Sequence, residues 1–190
     1  MAAKIIKTPL SREAARSLQC AETVLLSGII YTARDAAHAR LLESIKRGES
    51  LPFPIENAIV YYVGPTCAIL GRAIGSAGPT SSYRMDVFTP ALIKSGLTGM
   101  IGKGARSQEV IDAMRGYGAV YLGAVGGAGA LMARCVESSE VIAYEDLGAE
   151  AVRRLVVKEM PLTVVTDCAG NDLYKQGRID YLEWRQNNKV

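Results

Sequence analysis

Residues 78–86 read Gly-Pro-Thr-Ser-Ser-Tyr-Arg-Met-Asp. Pro79 fixes the entry of a turn, and Thr80, Ser81 and Ser82 bring three hydroxyls to it. Backbone N–H groups stand just ahead of a predicted helix start, a setting that suits a carboxylate or a phosphate. Arg84 follows four residues after Thr80 and offers a fork of donors to a planar anion. A helix cap beside a surface arginine accounts for the same residues, so the motif alone leaves both readings open.

Two further junctions carry polar residues without a packing role. Arg34-Asp35 is followed by His38, the only histidine in the chain. Arg34 and His38 share one helical face, and Asp35 is a favourable charge in a first turn. A lone histidine builds no ordinary metal site, so His38 reads as structural. Lys103 lies between Gly102 and Gly104, just after a predicted strand, where the backbone can approach a ligand closely. It is no P-loop, because Gly-x-x-x-x-Gly-Lys-Ser/Thr is missing. Gly123, Gly126, Gly127 and Gly129 lack the dinucleotide spacing Gly-x-Gly-x-x-Gly and read as a tight turn.

Arg34, Arg84 and Lys103 put three cations on three loops, with the Thr80 hydroxyl among them. Three cations for one ligand fit a dicarboxylate, because each carboxylate takes charge-assisted donors. No general base with a local partner and no complete set of metal ligands stands beside them. The pattern therefore reads as half of an active site.

The elements that must position these residues alternate short apolar runs with amphipathic stretches, a mixed α/β pattern. Strands are predicted at Thr23–Thr32, Ala58–Val63, Thr98–Ile101 and Ala119–Gly123. Helices are predicted at Ala33–Lys46, Asp86–Lys94 and 108–115, the last capped by Ser107. Residues 64–84 form a long loop of the kind that carries function. A short helix at 130–135 and strands at 140–144, 152–158 and 162–166 follow, and a polar tail begins at about 175. With no internal repeat and no linker, residues 1–190 read as one domain.

Composition excludes several classes. At 49% hydrophobic and 22% charged, the chain can bury a core and is not expected to be disordered. A net charge of +3, with scattered basic residues, does not argue for nucleic acid. The longest apolar runs fall far short of the roughly 20 residues of a membrane helix. No export signal is apparent, so a cytoplasmic location is expected. Cys20, Cys67, Cys135 and Cys168 include no Cys-x-x-Cys pair, so they are expected to be reduced thiols and not metal ligands.

Four motifs occur in order: Ala33-Arg34-Asp35-Ala36-Ala37-His38, Gly78 to Asp86, Lys103-Gly104-Ala105-Arg106-Ser107, and Tyr121-Leu122-Gly123-Ala124-Val125-Gly126-Gly127. Between about residues 20 and 175 they closely resemble the β subunit of class I fumarate hydratases and L-tartrate dehydratases. These are iron–sulfur hydro-lyases, and the same region is the C-terminal domain of fused versions. The resemblance implies a swivelling β/β/α domain. It also implies a larger α subunit whose three cysteines hold a 4Fe-4S cluster, an active site between the two parts, and assembly of αβ pairs. Carried over, Arg34 and Arg84 bind carboxylates, Thr80 lies at the reacting carbon in proton transfer, Lys103 binds substrate and belongs with Thr80 in the catalytic set, and Asp35 and His38 take supporting roles. Members of the family often read Thr-Ala-Gly where Ser81-Ser82-Tyr83 stands here. Thr80 and Arg84 keep their spacing, while Tyr83 bears on which substrate fits. The resemblance implies reversible hydration of fumarate to (S)-malate. The alternatives are dehydration of L-tartrate and, in another class, a non-catalytic dicarboxylate-binding module.

Overall fold

The structure, a computed structural model, describes residues 3–68 and 71–188. Residues 1–2, positions 69–70 of the predicted 64–84 loop and positions 189–190 of the predicted tail lie outside the described residues. Strands β1 (Lys4–Lys7), β2 (Thr23–Thr32), β3 (Ile59–Tyr61), β4 (Gly99–Gly102), β5 (Val120–Gly123), β6 (Val136–Ala143) and β7 (Val152–Thr166) form one sheet. Helices α1 (Arg12–Arg16), α2 (Asp35–Arg47), α3 (Thr89–Lys94), α4 (Gln108–Tyr117), α5 (Gly129–Arg134) and α6 (Leu173–Asn188) accompany it.

β2, β3, β4 and β5 are parallel neighbours in that order. β7 runs antiparallel to both β2 and β5 and closes the sheet into a small barrel. β1 lies alongside β2, and β6 alongside β7. Alternate side chains divide between two apolar sets, as the period of a strand requires. Leu26, Ile30, Tyr61, Ile101, Leu122, Leu155 and Val164 belong to one set, packed within the ring. Tyr31, Val60, Tyr62, Met100, Tyr121 and Val165 belong to the other, which α2, α3 and α4 cover. Burial on both sides explains why β2, Thr-Val-Leu-Leu-Ser-Gly-Ile-Ile-Tyr-Thr, reads as a nearly unbroken apolar run.

Several predicted elements change. The strands expected at 152–158 and 162–166 are one strand, β7, bent where Lys158 and Glu159 face the single residue Ser27 of β2. Glu159 has φ +48°, and its N–H donates to the Ser27 hydroxyl at 2.9 Å. This is a β-bulge, which turns a strand without ending it and lets one strand reach both neighbours. Its polar Lys158-Glu159 pair reads as a turn in sequence. The helix expected from Asp86 starts at Thr89, because Pro90 occupies its first turn, and Ser82–Met85 form a separate 3-10 turn. β6 is longer than predicted, and β1 and α1 fall in a stretch to which the sequence reading assigned no element. The expected polar tail is helical: Asp172 accepts the Tyr174 N–H at 2.9 Å and caps α6, none of whose side chains is buried. No described helix is long and apolar enough to cross a membrane.

One close approach governs the strand ends. A Cβ on Gly102 would lie 2.0 Å from the Ser82 hydroxyl oxygen and 3.0 Å from the Tyr62 ring. We predict that Gly102→Ala lowers unfolding stability by about 1–3 kcal/mol, as forced overpacking does. The denaturant midpoint at neutral pH reads this, and an unchanged midpoint contradicts the packing described.

Candidate active site at the carboxyl ends of the parallel strands

The four parallel strands end on the same edge of the barrel, where open α/β sheets receive ligands. Each predicted site residue follows one of those ends. Arg34 comes two residues after β2 and immediately precedes α2. The loop after β3 returns so that the Thr80 N–H donates to the Tyr62 carbonyl at 2.7 Å. Lys103 directly follows β4. The glycine-rich loop follows β5, and a Cβ on its Gly126 would come within 3.8 Å of the Lys103 side chain.

Backbone pairing joins Thr80 to Lys103. Ser81 and Lys103 form an isolated parallel bridge, with the Lys103 N–H donating to the Thr80 carbonyl at 3.4 Å and the Ser82 N–H to the Lys103 carbonyl at 2.8 Å. Side chains join the two arginines. Asp35 receives Arg84 Nε at 2.8 Å, and its other oxygen lies 3.8 Å from Arg34 Nε. Arg34 also pairs with Glu150 at 3.2 Å, and Gly64 after β3 lies close against its guanidinium. Arg34, Asp35 and Arg84 are thus one ion-pair cluster, and Thr80 with Lys103 is one backbone unit. The 3-10 turn 82–85 links the two.

Electrostatically the edge is poised for an anion. Arg34 and Arg84 pair with two carboxylates, Asp35 and Glu150, and Lys103 after β4 brings a third cation. The Arg84–Asp35 pair is partly exposed and so contributes little to stability. An incoming carboxylate can replace Asp35 as a partner at small cost.

A buried frame holds this edge. The side chain of Arg106 is fully buried, with its guanidinium carbon 5.2 Å from the Tyr62 ring centroid and 5.1 Å from that of Tyr121. Arg106 Nε donates to Asp86 at 2.7 Å and one terminal nitrogen donates to the Thr89 hydroxyl at 2.8 Å. The second Asp86 oxygen accepts the Ser107 N–H at 2.7 Å, which ties the loop after β4 to the segment carrying Arg84. The Tyr121 hydroxyl donates to the Gly104 carbonyl at 3.0 Å and so accepts from Ser82 at 2.8 Å. Burial pushes the Tyr121 phenol up, which keeps it a donor.

His38 is not part of the open edge. It is buried beneath it, its Nδ1–H donating to the Arg34 carbonyl at 2.9 Å, while Nε2 has no partner. Its ring packs edge-on to Tyr62 and against Phe88. Sequence reasoning gave Arg106 and Asp86 no role, although both lie inside the motifs. It missed Glu150 altogether: one Glu150 oxygen holds Arg34 and the other accepts the Ala36 N–H at 3.1 Å, capping α2 from 114 residues away. No local signal announces such a contact.

Metal ligands are a separate question. Among the described residues no group of three or more His, Cys, Asp or Glu is arranged to hold a metal ion. The Cys20, Cys135 and Cys168 thiols donate to backbone carbonyls. Burial pushes Cys168 up to about 11, which disfavours the thiolate a metal needs. These residues do not fit an iron–sulfur cluster.

The fold and the edge define a mixed α/β barrel domain that gathers cationic groups at the ends of parallel strands. A family model described as "Fumarase C-terminus" matches residues 3–177, and the chain belongs to that family. It is 40% identical over 153 residues to the aerobic class I fumarate hydratase of Escherichia coli K12, covering 80% of this chain and 28% of that enzyme. It is 36% identical over 173 residues to a putative L(+)-tartrate dehydratase subunit beta of Methanocaldococcus jannaschii, covering 88% of this chain and 89% of that one. A putative class I fumarate hydratase of Geobacillus stearothermophilus is 32% identical over 175 residues, covering 90% of this chain and 33% of that enzyme. The chain thus spans about a third or less of the fumarate hydratases cited and nearly all of the tartrate dehydratase subunit.

The buried histidine generates a pH prediction. Desolvation lowers the His38 pKa from 6.5 to about 4, so the unfolded chain binds a proton that the folded chain refuses. Stability is fully present above the unfolded value and is lost as pH falls from about 6.5 toward 4. By linkage, wild type loses about 2 kcal/mol between pH 7 and pH 5 through this group. In His38→Asn, whose amide can still donate to the Arg34 carbonyl, that part of the slope disappears. Denaturant titrations at the two pH values measure it, and equal slopes in both proteins contradict the assignment.

Proposed function

We propose that this chain is the β subunit of a heteromeric iron–sulfur hydro-lyase that reversibly hydrates fumarate to (S)-malate. In this reading residues 1–190 are one swivelling β/β/α domain that supplies the dicarboxylate-binding half of the active site in the cytoplasm. The 4Fe-4S cluster belongs to the larger α subunit, and αβ pairs assemble further. The observation that carries the reading is the juxtaposition of two ion-paired arginines, Arg34 and Arg84, with the Thr80–Lys103 backbone unit on one edge.

The roles follow from charge. Removing the C–H proton beside a carboxylate pushes negative charge onto that carboxylate. Arg34, Arg84 and Lys103 hold the dianion and stabilise the added charge, which fixed donors do best outside bulk water. Thr80 stands beside Lys103, where it passes the proton together with a base from the partner, because an unassisted threonine is far too weak a base. This chain's cysteines do not fit the cluster, which the α subunit's cysteines would hold. The relative named as a tartrate dehydratase β subunit matches over nearly its whole length, which supports dehydration of L-tartrate as a second reading on the same edge.

Anaerobic affinity capture of the tagged chain from its own cells tests the proposal. A brown, iron-containing complex with a larger subunit is expected, and fumarate and tartrate are then compared on it. An iron-free complex that turns over neither acid overturns the reading. In the active complex, Arg84→Ala is expected to lower kcat/KM on the order of 100-fold or more, and Thr80→Ala to lower kcat more than it raises KM. Near-normal activity in either variant removes that residue from the mechanism.

A further inference from the structure

Both backbone polar groups of Gly104 are held by tyrosines distant in sequence. Tyr121 donates to the Gly104 carbonyl at 3.0 Å, and the Gly104 N–H donates to the Tyr174 hydroxyl oxygen at 3.1 Å. Lys103, one residue earlier, has its own N–H and carbonyl bound by Thr80 and Ser82. Gly104 needs this support. Its φ of +83° is open to glycine at little steric cost, and the same freedom makes the chain at this residue easy to bend. Nothing covers the position either, since a Cβ there would meet no atom within 4 Å. Three of the four restraints come from the barrel and its edge. The fourth comes from the first turn of α6, an exposed helix capped by Asp172.

We infer that Tyr174 is a positioning residue for Lys103. Its hydroxyl fixes the peptide unit that follows the lysine and so fixes where the side chain starts, which makes α6 a working part of the edge. This rests on the proposed role of Lys103 in holding the substrate dianion. Tyr174 is 46% exposed, so removing its hydroxyl leaves the core intact.

A double-mutant cycle on the intact complex tests it, with Tyr174→Phe, Lys103→Ala and the double variant assayed for fumarate hydration. Tyr174→Phe is expected to lower kcat/KM roughly fivefold, chiefly through KM, the size of one lost neutral hydrogen bond. The effect should vanish in the Lys103→Ala background, because Tyr174 then has nothing to position. Deuterium exchange at the Gly104 amide should also rise in Tyr174→Phe, with exchange in the barrel strands unchanged. Wild-type activity of Tyr174→Phe beside an impaired Lys103→Ala overturns the inference alone, as does an equal loss in both backgrounds. Wild-type activity of Lys103→Ala overturns the functional reading of that lysine, and this inference with it.

Discussion

The working edge depends on one buried arginine. Arg106 bridges Asp86, Thr89 and Tyr62 and lies against the Tyr62 and Tyr121 rings, while Asp86 turns its second oxygen to the Ser107 N–H. The loop after β4 and the segment after Thr80 are also joined by a short bridge of backbone bonds and by the Tyr121 hydroxyl, which binds both Gly104 and Ser82. A charge this deep costs several kcal/mol to desolvate, and only its full set of partners offsets that. Losing Asp86 therefore strands a buried charge and severs a side-chain tie between the two loops. That property converts two irregular segments into a fixed platform.

On the platform the cations are arranged with graded freedom. Arg106 is locked, its donors turned inward to Asp86, Thr89 and Tyr62. Arg34 is partly buried between Asp35 and Glu150, and Arg84 is more exposed on a single carboxylate. Lys103 has its backbone fixed on both sides while its side chain reaches toward the glycine-rich loop. Rigid backbone with replaceable ion-pair partners is the combination an anion site needs: position is set in advance, and charge becomes available when the ligand arrives. The parallel strands supply the geometry, because they bring four loop starts to one edge of a closed barrel.

Much of this was legible in the chain. β2 matches its predicted bounds, and α2, α4 and β5 lie within two residues of theirs, because apolar period and the Ser107 and Gly48 caps are local signals. Arg34, Thr80, Arg84 and Lys103 stood out because each is polar at a glycine- or proline-bearing junction. What escaped is non-local. The bulge at Glu159 resembles a turn until β2 lies beside it, and Glu150 has no meaning until the chain folds it onto α2. α6 buries no side chain, so it has no apolar stripe to announce it. Arg106 and Asp86 were visible as motif residues, yet only the fold reveals that their charge is used inward.

Binding of a dicarboxylate on the carboxyl edge of the parallel strands is the central proposal. Deuterium exchange of the intact complex, with and without malate, tests this most directly. Protection is expected in peptides covering 33–40, 78–86 and 102–107. The part of the cleft of about 610 Å³ lined by Cys20, Ala21 and Asp167, just before β2 and just after β7, should exchange unchanged. Protection at that cleft, with none at the three loops, contradicts the account.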